Sequence, residues 1–260
     1  MKIAIIGNGW IGNMLKDYLP AEMIMSRIED INSPLDYDVV INTAAKTAID
    51  WCEINKEQAF NSNVLAALKL AKLTKGKFVH FSSACVFESK NPKDVKFEDT
   101  MPNPQCFYAE TKVMSERLIR EIKPDALIIR PRLLISEVPH PRNSLDKLLK
   151  YPRVITSKES VTIVEDMLHV IKRLINENAS GVFHVVNEGL ISPAEIMKIY
   201  GKKFKAIPKD ELDKDMFKQG RAKRTSVTVG SRKIKLMPPI KKRIRDVIAN
   251  YKKNLEHHKE

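Results

Sequence analysis

Short apolar runs alternate with longer segments of helical spacing over the first half of the chain. Five runs are mostly apolar and end at glycine or polar residues, which is typical of parallel strands covered on both faces. They lie at 2–6, 22–25, 38–42, 77–81 and 126–130. Apolar residues at helical spacing predict helices at about 11–18, 57–73 and 107–122. Strands that alternate with helices from the first residue predict an α/β protein with a doubly wound parallel sheet.

The pattern loosens after residue 130. Helices are predicted near 144–150, 164–176, from Pro193 and at about 240–251. Residues 181–186 have the pattern of another buried strand, and we expect it to return to the main sheet. The sequence therefore predicts a nucleotide-binding domain over 1–135, completed by 181–187, and a smaller, interleaved substrate-binding lobe over most of 136–260.

Composition and charge narrow the class of protein. The 260 residues are 43% hydrophobic, and no apolar run is long enough to span a bilayer, so we expect a cytoplasmic protein without a membrane partner. The net charge of +13 makes nucleic acid a partner to consider. Few aromatic residues lie among the basic residues, and these residues do not belong to any known nucleic-acid-binding module. We therefore expect no nucleic-acid partner. The three cysteines lack metal-ligand spacing, which predicts reduced thiols and no bound metal.

A glycine-rich turn follows the first predicted strand. Residues Gly7 to Gly12 read GNGWIG and open a helix, which is the context of the dinucleotide-binding fingerprint of the Rossmann fold. In that fingerprint Gly7 permits the tight turn, Gly9 lets the backbone approach a pyrophosphate, and Gly12 lets the helix pack closely. The pyrophosphate would bind at the helix N-terminus, at Trp10 and Ile11.

The end of the second strand indicates which dinucleotide binds. An enzyme that uses NAD would be expected to place Asp or Glu there for the ribose 2′-hydroxyl, whereas this chain has Ser26 and Arg27. A hydroxyl and a guanidinium together suit a 2′-phosphate. The predicted cofactor is therefore NADP(H).

A tyrosine and a lysine are spaced four residues apart on the helix predicted at 107–122. Tyr108 and Lys112 form a Tyr-x-x-x-Lys pattern, and this spacing puts both side chains on one face. An ammonium near a phenol favours the phenolate and lowers its pKa from about 10. Lysine can also donate a hydrogen bond to the nicotinamide ribose. The pair therefore predicts acid–base chemistry beside a bound dinucleotide.

The chain resembles extended short-chain dehydrogenases/reductases that act on nucleotide sugars. Three features support this resemblance: the glycine turn, the serines at the end of the fourth strand and the Tyr-x-x-x-Lys pattern. The resemblance implies that Ser83 is the active-site serine. It also implies that Ala44, Ala45 and Asn63 contact the cofactor and that the protein is a homodimer. It is closest to the plant-type UDP-4-keto-6-deoxyglucose 3,5-epimerase/4-reductase, through segments such as 50–53 and 97–100. The dTDP-4-dehydrorhamnose reductases and GDP-fucose synthases are related.

The same resemblance assigns a second acid–base pair. Cys85 lies two residues after Ser83, where the GDP-fucose synthase branch has its acid–base cysteine, and Lys147 matches a lysine proposed for this role in the plant type. A 4-ketone acidifies the hydrogens on C3 and C5, and each inversion needs a base on one face and a proton donor on the other. The predicted substrate contacts are Ser83, Cys85, Tyr108, Arg142, Asn143 and Arg224.

Three functions remain open at this point. The first is a bifunctional 3,5-epimerase/4-reductase, an oxidoreductase and isomerase that forms UDP-L-rhamnose. The second is a monofunctional 4-reductase of the dTDP-4-dehydrorhamnose type, although those enzymes usually have Asp-Tyr where this chain has Ala84 and Cys85. The third is a catalytically silent NADP-binding regulatory subunit, against which the intact Ser83, Tyr108 and Lys112 argue. The sequence also leaves the nucleotide open among UDP, dTDP and GDP.

Overall fold

The structure, a computed structural model, describes residues 1–257, with the side chains of Phe217 and His257 left aside. The chain forms two compact units. The first unit contains Met1–Phe87, Met101–Arg130 and Ile171–Phe183, and the second contains Glu88–Thr100, Pro131–Val170 and the chain from His184 onward. By this division, residues 88–100, 131–135 and 184–187 lie in the second unit and residues 171–180 lie in the first. The domain bounds given from the sequence stay a prediction.

Ten strands are present in the described residues. They are β1 (Ile3–Ile6), β2 (Ala21–Ile24), β3 (Val39–Asn42), β4 (Lys77–Phe81), β5 (Leu127–Arg130), β6 (Leu134–Ile135), β7 (Arg153–Ile155), β8 (Thr162–Ile163), β9 (Gly181–His184) and β10 (Lys205–Ile207). The main sheet has the order β2-β1-β3-β4-β5-β9, and neighbouring strands from β2 to β5 pair in parallel. The predicted Rossmann-type α/β fold is confirmed.

The helices account for the rest of the regular structure in residues 1–257. They are α1 (Trp10–Tyr18), α2 (Ile49–Ile54), α3 (Lys56–Phe60), α4 (Ala66–Leu73), α5 (Phe107–Ile122), α6 (Ser144–Lys150), α7 (Val164–Asn176), α8 (Pro193–Tyr200), α9 (Lys209–Lys218) and α10 (Ile240–His257). The single helix predicted at 57–73 is α3 and α4 joined by a π-helical turn at Asn61–Leu65. Within the described part of the chain, no helix is both long and apolar enough to cross a membrane.

Each unit has its own apolar core. In the first unit, Ile6, Val40 and Phe78 of the sheet pack with Leu70 of α4 and Ile119 of α5. The strands β3, β4 and β5 are buried along their whole length because helices cover both faces of a parallel sheet. Each such side chain stabilises the fold by about 2 kcal/mol. The core of the second unit is built from β6, β8 and helices α6, α8 and α10.

Candidate active site

The glycine turn after β1 leaves no room for side chains. Gly7 has φ +113°, and a Cβ there would lie 2.5 Å from the backbone nitrogen of Ala44. A Cβ on Gly12 would lie 2.0 Å from the carbonyl oxygen of Gly7. The hydroxyl of Thr43 closes the turn by donating to the Gly7 carbonyl at 3.0 Å. The backbone of this glycine turn and of the first residues of α1, which begins at Trp10, is therefore accessible to a ligand. Backbone N–H groups at the start of a helix are the donors that a pyrophosphate binds.

Ser26 and Arg27 follow β2 and are both exposed. Arg27 precedes a short 3-10 turn, and its guanidinium lies 3.7 Å from a carboxylate oxygen of Glu29. The Arg27 side chain is 80% exposed, and an ion pair exposed in this way contributes little stability. The guanidinium can therefore exchange Glu29 for a bound phosphate at low cost.

Ser83, Tyr108 and Lys112 come together where β4 ends. Tyr108 and Lys112 lie on the buried face of α5, and the Tyr108 phenol is hydrogen-bonded to the Ser83 hydroxyl. The Lys112 ammonium donates to the carbonyl oxygen of Phe81 at 2.9 Å. β1, β3 and β4 are parallel, so the glycine turn, Ala44–Ala45 and Ser83 all follow strand ends at one edge of the sheet. This is the edge at which such sheets bind ligands.

Burial changes the acid–base behaviour of two of these groups. It raises the pKa of Tyr108 above its ordinary value, the charge of Cys85 raises this pKa further, and the hydrogen bond from Ser83 opposes both. Burial lowers the pKa of Lys112 to about 8, against the opposing charge of Glu116 and a smaller one of Cys52. Lys112 therefore keeps its ammonium only below about pH 8.

Cys85 lies beside the serine and the tyrosine. It belongs to a 3-10 turn at Ala84–Val86, where its backbone N–H donates to the Ser83 hydroxyl oxygen at 3.1 Å. Its side chain is half-buried and close enough to Tyr108 for its charge to affect the phenol. Cys52 and Cys106 also raise the pKa of Tyr108, so all three cysteines lie around this residue.

The Asn63 side chain connects the loop after β3 to α5. Asn63 is 1% exposed, and its amide nitrogen donates to the Lys46 carbonyl at 3.0 Å and to the Thr111 hydroxyl at 3.1 Å. Its amide oxygen accepts from the Lys46 N–H at 2.8 Å. These bonds hold the loop against the helix on which Tyr108 lies. The contact of Asn63 with the cofactor stays a prediction.

Asn143 likewise has a structural role. It is 0% exposed, its amide nitrogen donates to the carbonyls of Ser136 and Val138, and its amide oxygen accepts from the Leu145 N–H at 3.0 Å. The side chain therefore caps the N-terminus of α6. Its contact with the substrate stays a prediction.

The other predicted residues of the second unit lie in two segments. Lys147 is on α6; its side chain is exposed over much of its length, yet partial burial of its ammonium lowers its pKa, and the charge of Arg142 lowers it further. Arg142 is exposed just before α6. Arg224 lies in a separate segment, half-buried, and its guanidinium donates to the Ala222 carbonyl at 2.8 Å.

Sequence reasoning missed a buried cluster next to Lys112. Glu116 accepts hydrogen bonds from Ser82 and Arg130, and the three residues are at most 5% exposed. The available signal was the spacing, because Glu116 follows Lys112 by four residues on the same helical face. Among residues 1–257, no group of three or more His, Cys, Asp or Glu side chains is arranged to hold a metal.

Comparison with known proteins places these observations in a family. Residues 24–211 match the family described as the RmlD substrate binding domain. The trifunctional UDP-glucose 4,6-dehydratase/UDP-4-keto-6-deoxy-D-glucose 3,5-epimerase/UDP-4-keto-L-rhamnose reductase of Arabidopsis thaliana is 30% identical over 226 residues. The match covers 77% of this chain and 34% of the relative, so the chain spans about a third of the length of that protein.

Two shorter proteins match over most of their length. The bifunctional dTDP-4-dehydrorhamnose 3,5-epimerase/reductase of Arabidopsis thaliana is 29% identical over 217 residues, which are 74% of this chain and 71% of the relative. The crystal structure of the UDP-rhamnose synthase L780 of Acanthamoeba polyphaga mimivirus superimposes with a TM-score of 0.85 at 23% identity. That superposition covers 96% of this chain and 99% of the mimivirus chain.

Proposed function

Because the chain belongs to the RmlD substrate binding domain family, we propose that it is an NADPH-dependent reductase of nucleotide-linked 4-keto-6-deoxy sugars. We further propose that it is bifunctional, epimerising UDP-4-keto-6-deoxy-D-glucose at C3 and C5 before it forms UDP-L-rhamnose. One observation carries the reductase assignment. The hydrogen-bonded Ser83–Tyr108 pair and Lys112 lie at the same sheet edge as a glycine turn that excludes side chains.

The residues present fit NADP(H). Gly7 and Gly12 form a tight cradle with α1, because a Cβ on either would meet the backbone of Ala44 or of Gly7. This turn leaves the backbone N–H groups at Trp10 and Ile11, where α1 begins, for a pyrophosphate. Arg27 and Ser26 present a guanidinium and a hydroxyl to the 2′-phosphate, with no acidic residue in the place where NAD enzymes carry one.

The chemistry of reduction follows from the environment of Tyr108. When bound, NADPH supplies a hydride to C4 of the sugar. Ser83 and Tyr108 donate hydrogen bonds to the ketone oxygen, which gains negative charge as the hydride arrives. Tyr108 then passes its proton to that oxygen. The Lys112 ammonium favours this step below about pH 8, because a nearby positive charge makes the phenol a stronger acid.

Epimerisation requires groups that move protons at C3 and C5. The same Ser83 and Tyr108 stabilise the enolate that forms when a proton leaves either carbon, so one oxygen-binding arrangement serves both reactions. Cys85, adjacent to both residues, is the first proposed acid–base group. Lys147 is the second, and burial lowers its pKa, which makes the neutral amine that a base requires easier to form.

The reaction in heavy water tests the proposal. The protein is incubated with NADPH and UDP-4-keto-6-deoxyglucose in D2O, and the loss of NADPH absorbance and the NMR spectrum of the sugar are recorded. UDP-rhamnose with deuterium at C3 and C5 is the expected product. Oxidation of NADPH only with a pre-epimerised 4-ketosugar would identify the monofunctional reductase. No oxidation with either sugar would contradict the proposal, and Tyr108→Phe is the inactive control.

We also propose that the protein is a homodimer in solution. Met114, Leu118 and Ile122 are 37%, 37% and 40% exposed, and their spacing places them in one apolar row along α5. A second copy with the same row would cover it symmetrically. Light scattering should give twice the mass of the 29.7 kDa chain, and Leu118→Lys should give the monomer mass. A monomer mass for the unaltered protein would contradict this proposal.

A further inference from the structure

A buried carboxylate lies one helical turn beyond Lys112 on α5. Glu116 is 4% exposed and is not used in the reduction described above. It accepts a hydrogen bond from the Ser82 hydroxyl, and Arg130 donates to its two oxygens through Nε at 2.8 Å and Nη2 at 2.5 Å. Burying a charge is costly unless it is paired and hydrogen-bonded. These contacts pair and hydrogen-bond both oxygens of the carboxylate inside the first unit.

The partners of Glu116 connect it to the reacting groups. Ser82 stands between Phe81, whose carbonyl binds the Lys112 ammonium, and Ser83. Arg130 ends β5, the strand beside β4. Glu116 therefore fixes the end of β4 against β5 and α5, and its four-residue spacing brings it next to Lys112.

The other titratable groups around Lys112 oppose its desolvation less. They are Cys52 of α2, His80 of β4 and Tyr108 of α5. Burial raises the pKa of Cys52 and of Tyr108, which keeps both protonated and neutral. Burial lowers the pKa of His80 well below its ordinary value, and the charge of Lys112 adds to this effect. Glu116 is thus the carboxylate that opposes the desolvation of the ammonium.

We propose that Glu116 is a positioning residue for the reduction, whose carboxylate, held by Ser82 and Arg130, is the counter-charge that keeps Lys112 protonated. The inference rests on the proposed function, in which the ammonium makes Tyr108 a stronger proton donor. Without the carboxylate, Lys112 and Arg130 are two like charges in a dry interior. Repulsion and desolvation then both favour the neutral amine.

The first test compares the pH dependence of reduction in two variants. Glu116→Gln keeps the shape of the side chain and removes its charge, whereas Ser82→Ala removes a hydrogen bond to the same carboxylate without changing any charge. The falling limb of the rate, expected near pH 8, should move down by about one pH unit in Glu116→Gln. It should stay in place in Ser82→Ala. An unmoved limb in the first variant, or equal movement in both, would overturn the proposal.

A double variant tests the proposal in case Glu116→Gln is too unstable to assay. Glu116→Gln breaks the buried ion pair with Arg130, and removing one partner of such a pair destabilises proteins by about 3–5 kcal/mol. Glu116→Gln/Arg130→Met removes both charges of the pair, and the falling limb of its rate should also move to lower pH because the carboxylate on the helical face of Lys112 is lost. A limb at the wild-type position in the double variant would also contradict the proposal.

The titration of Lys112 can be followed without any substrate. With lysine labelled with carbon-13 at Cε, the signal lost in Lys112→Met identifies Lys112, and its midpoint should lie lower in the Glu116 variants than in the unaltered protein. If the unaltered protein reduces no 4-ketosugar, the proposed function fails while this titration still tests the counter-charge. A midpoint that does not change refutes the role of Glu116 whatever the activity.

Discussion

The Lys112 ammonium donates a 2.9 Å hydrogen bond to the carbonyl oxygen of Phe81, the last residue of β4. Phe81 lies two residues before Ser83, so helix α5 and the strand end hold one another in place at the reacting groups. The lysine is thus oriented by the protein before any cofactor binds. It is also removed from water, which makes its charge dependent on pH in the range where enzymes work.

On the proposed function, the rate of reduction should fall as the pH rises through about 8. Burial lowers the pKa of Lys112 to about 8, and above this value Tyr108 loses the ammonium that strengthens it as an acid. A pH–rate profile with saturating NADPH checks the position of this limb. Lys112→Met should be slower by about a hundredfold or more and should lack the limb. A profile that stays flat to pH 10 in the unaltered protein would show that the ammonium is not required.

Arg27→Ala should lower the preference for NADPH over NADH. A charge-assisted hydrogen bond to the 2′-phosphate contributes about 1.5–3 kcal/mol, so the KM for NADPH should rise by about tenfold or more. The KM for NADH should not change, because NADH lacks the 2′-phosphate that Arg27 would bind. Arg120→Ala, which removes an exposed arginine from α5, is the matched control. An equal effect on both cofactors would mean that Arg27 contributes only general positive charge.

Gly12→Ala should abolish cofactor binding. The new Cβ would meet the Gly7 carbonyl oxygen at 2.0 Å, and backbone cannot move aside as a flexible side chain would. Gly201→Ala is the control. Gly201 has φ +84°, so alanine there strains the backbone, but no atom lies within 4 Å of the new Cβ. The control should cost about 1 kcal/mol of unfolding free energy and leave NADPH fluorescence titrations unchanged. Saturable NADPH binding by Gly12→Ala would contradict the cradle.

Cys85→Ser should separate epimerisation from reduction. A serine hydroxyl is a far weaker acid–base group than a thiol, so deuterium entry from D2O at C3 or C5 should stop. Reduction of a pre-epimerised 4-ketosugar should continue, since Ser83, Tyr108 and Lys112 are unchanged. Cys106→Ser is the matched control, because Cys106 also lies close to Tyr108. Undiminished deuterium entry in Cys85→Ser would exclude the cysteine as the acid–base group.

Asn143→Ala should reduce stability and not substrate affinity. The variant loses the cap of α6 and leaves buried carbonyls without donors, which should cost about 1–3 kcal/mol of unfolding free energy. Urea denaturation measures this loss. The KM for the nucleotide sugar should stay within about twofold of the original. A large rise in KM with unchanged stability would show that Asn143 contacts the substrate.

The parallel strands could be predicted because burial on both faces makes them continuously apolar. The same reasoning could not find β6, β7, β8 and β10, which are only two or three residues long and too short to show a period. It also merged α3 and α4, since the π-helical turn between them keeps the helical spacing almost unchanged. The pattern of apolar residues therefore predicts an element only when the element is long enough to show a period and the period changes at its ends.

The reacting groups were easier to predict than the residues around them. Tyr108 and Lys112 are marked by a spacing that has a chemical purpose. Asn63 and Asn143 are polar residues near a predicted site, and nothing in the sequence tells whether an amide faces a ligand or the backbone. Asn63 binds Lys46, which lies 17 residues away along the chain, and only the folded protein brings the two together.

The sixth strand of the main sheet has a consequence for the order in which the protein is made. β5 ends at Arg130, and its neighbour β9 begins only at Gly181, whose N–H donates to the Ala126 carbonyl at 2.8 Å. A nascent chain that has left the ribosome up to Arg130 therefore has five strands and an open apolar edge, and it must keep that edge from pairing with other chains until residues 131–180 have been synthesised. A gene fragment that stops at Ile135 would keep the edge open permanently, and we expect it to aggregate.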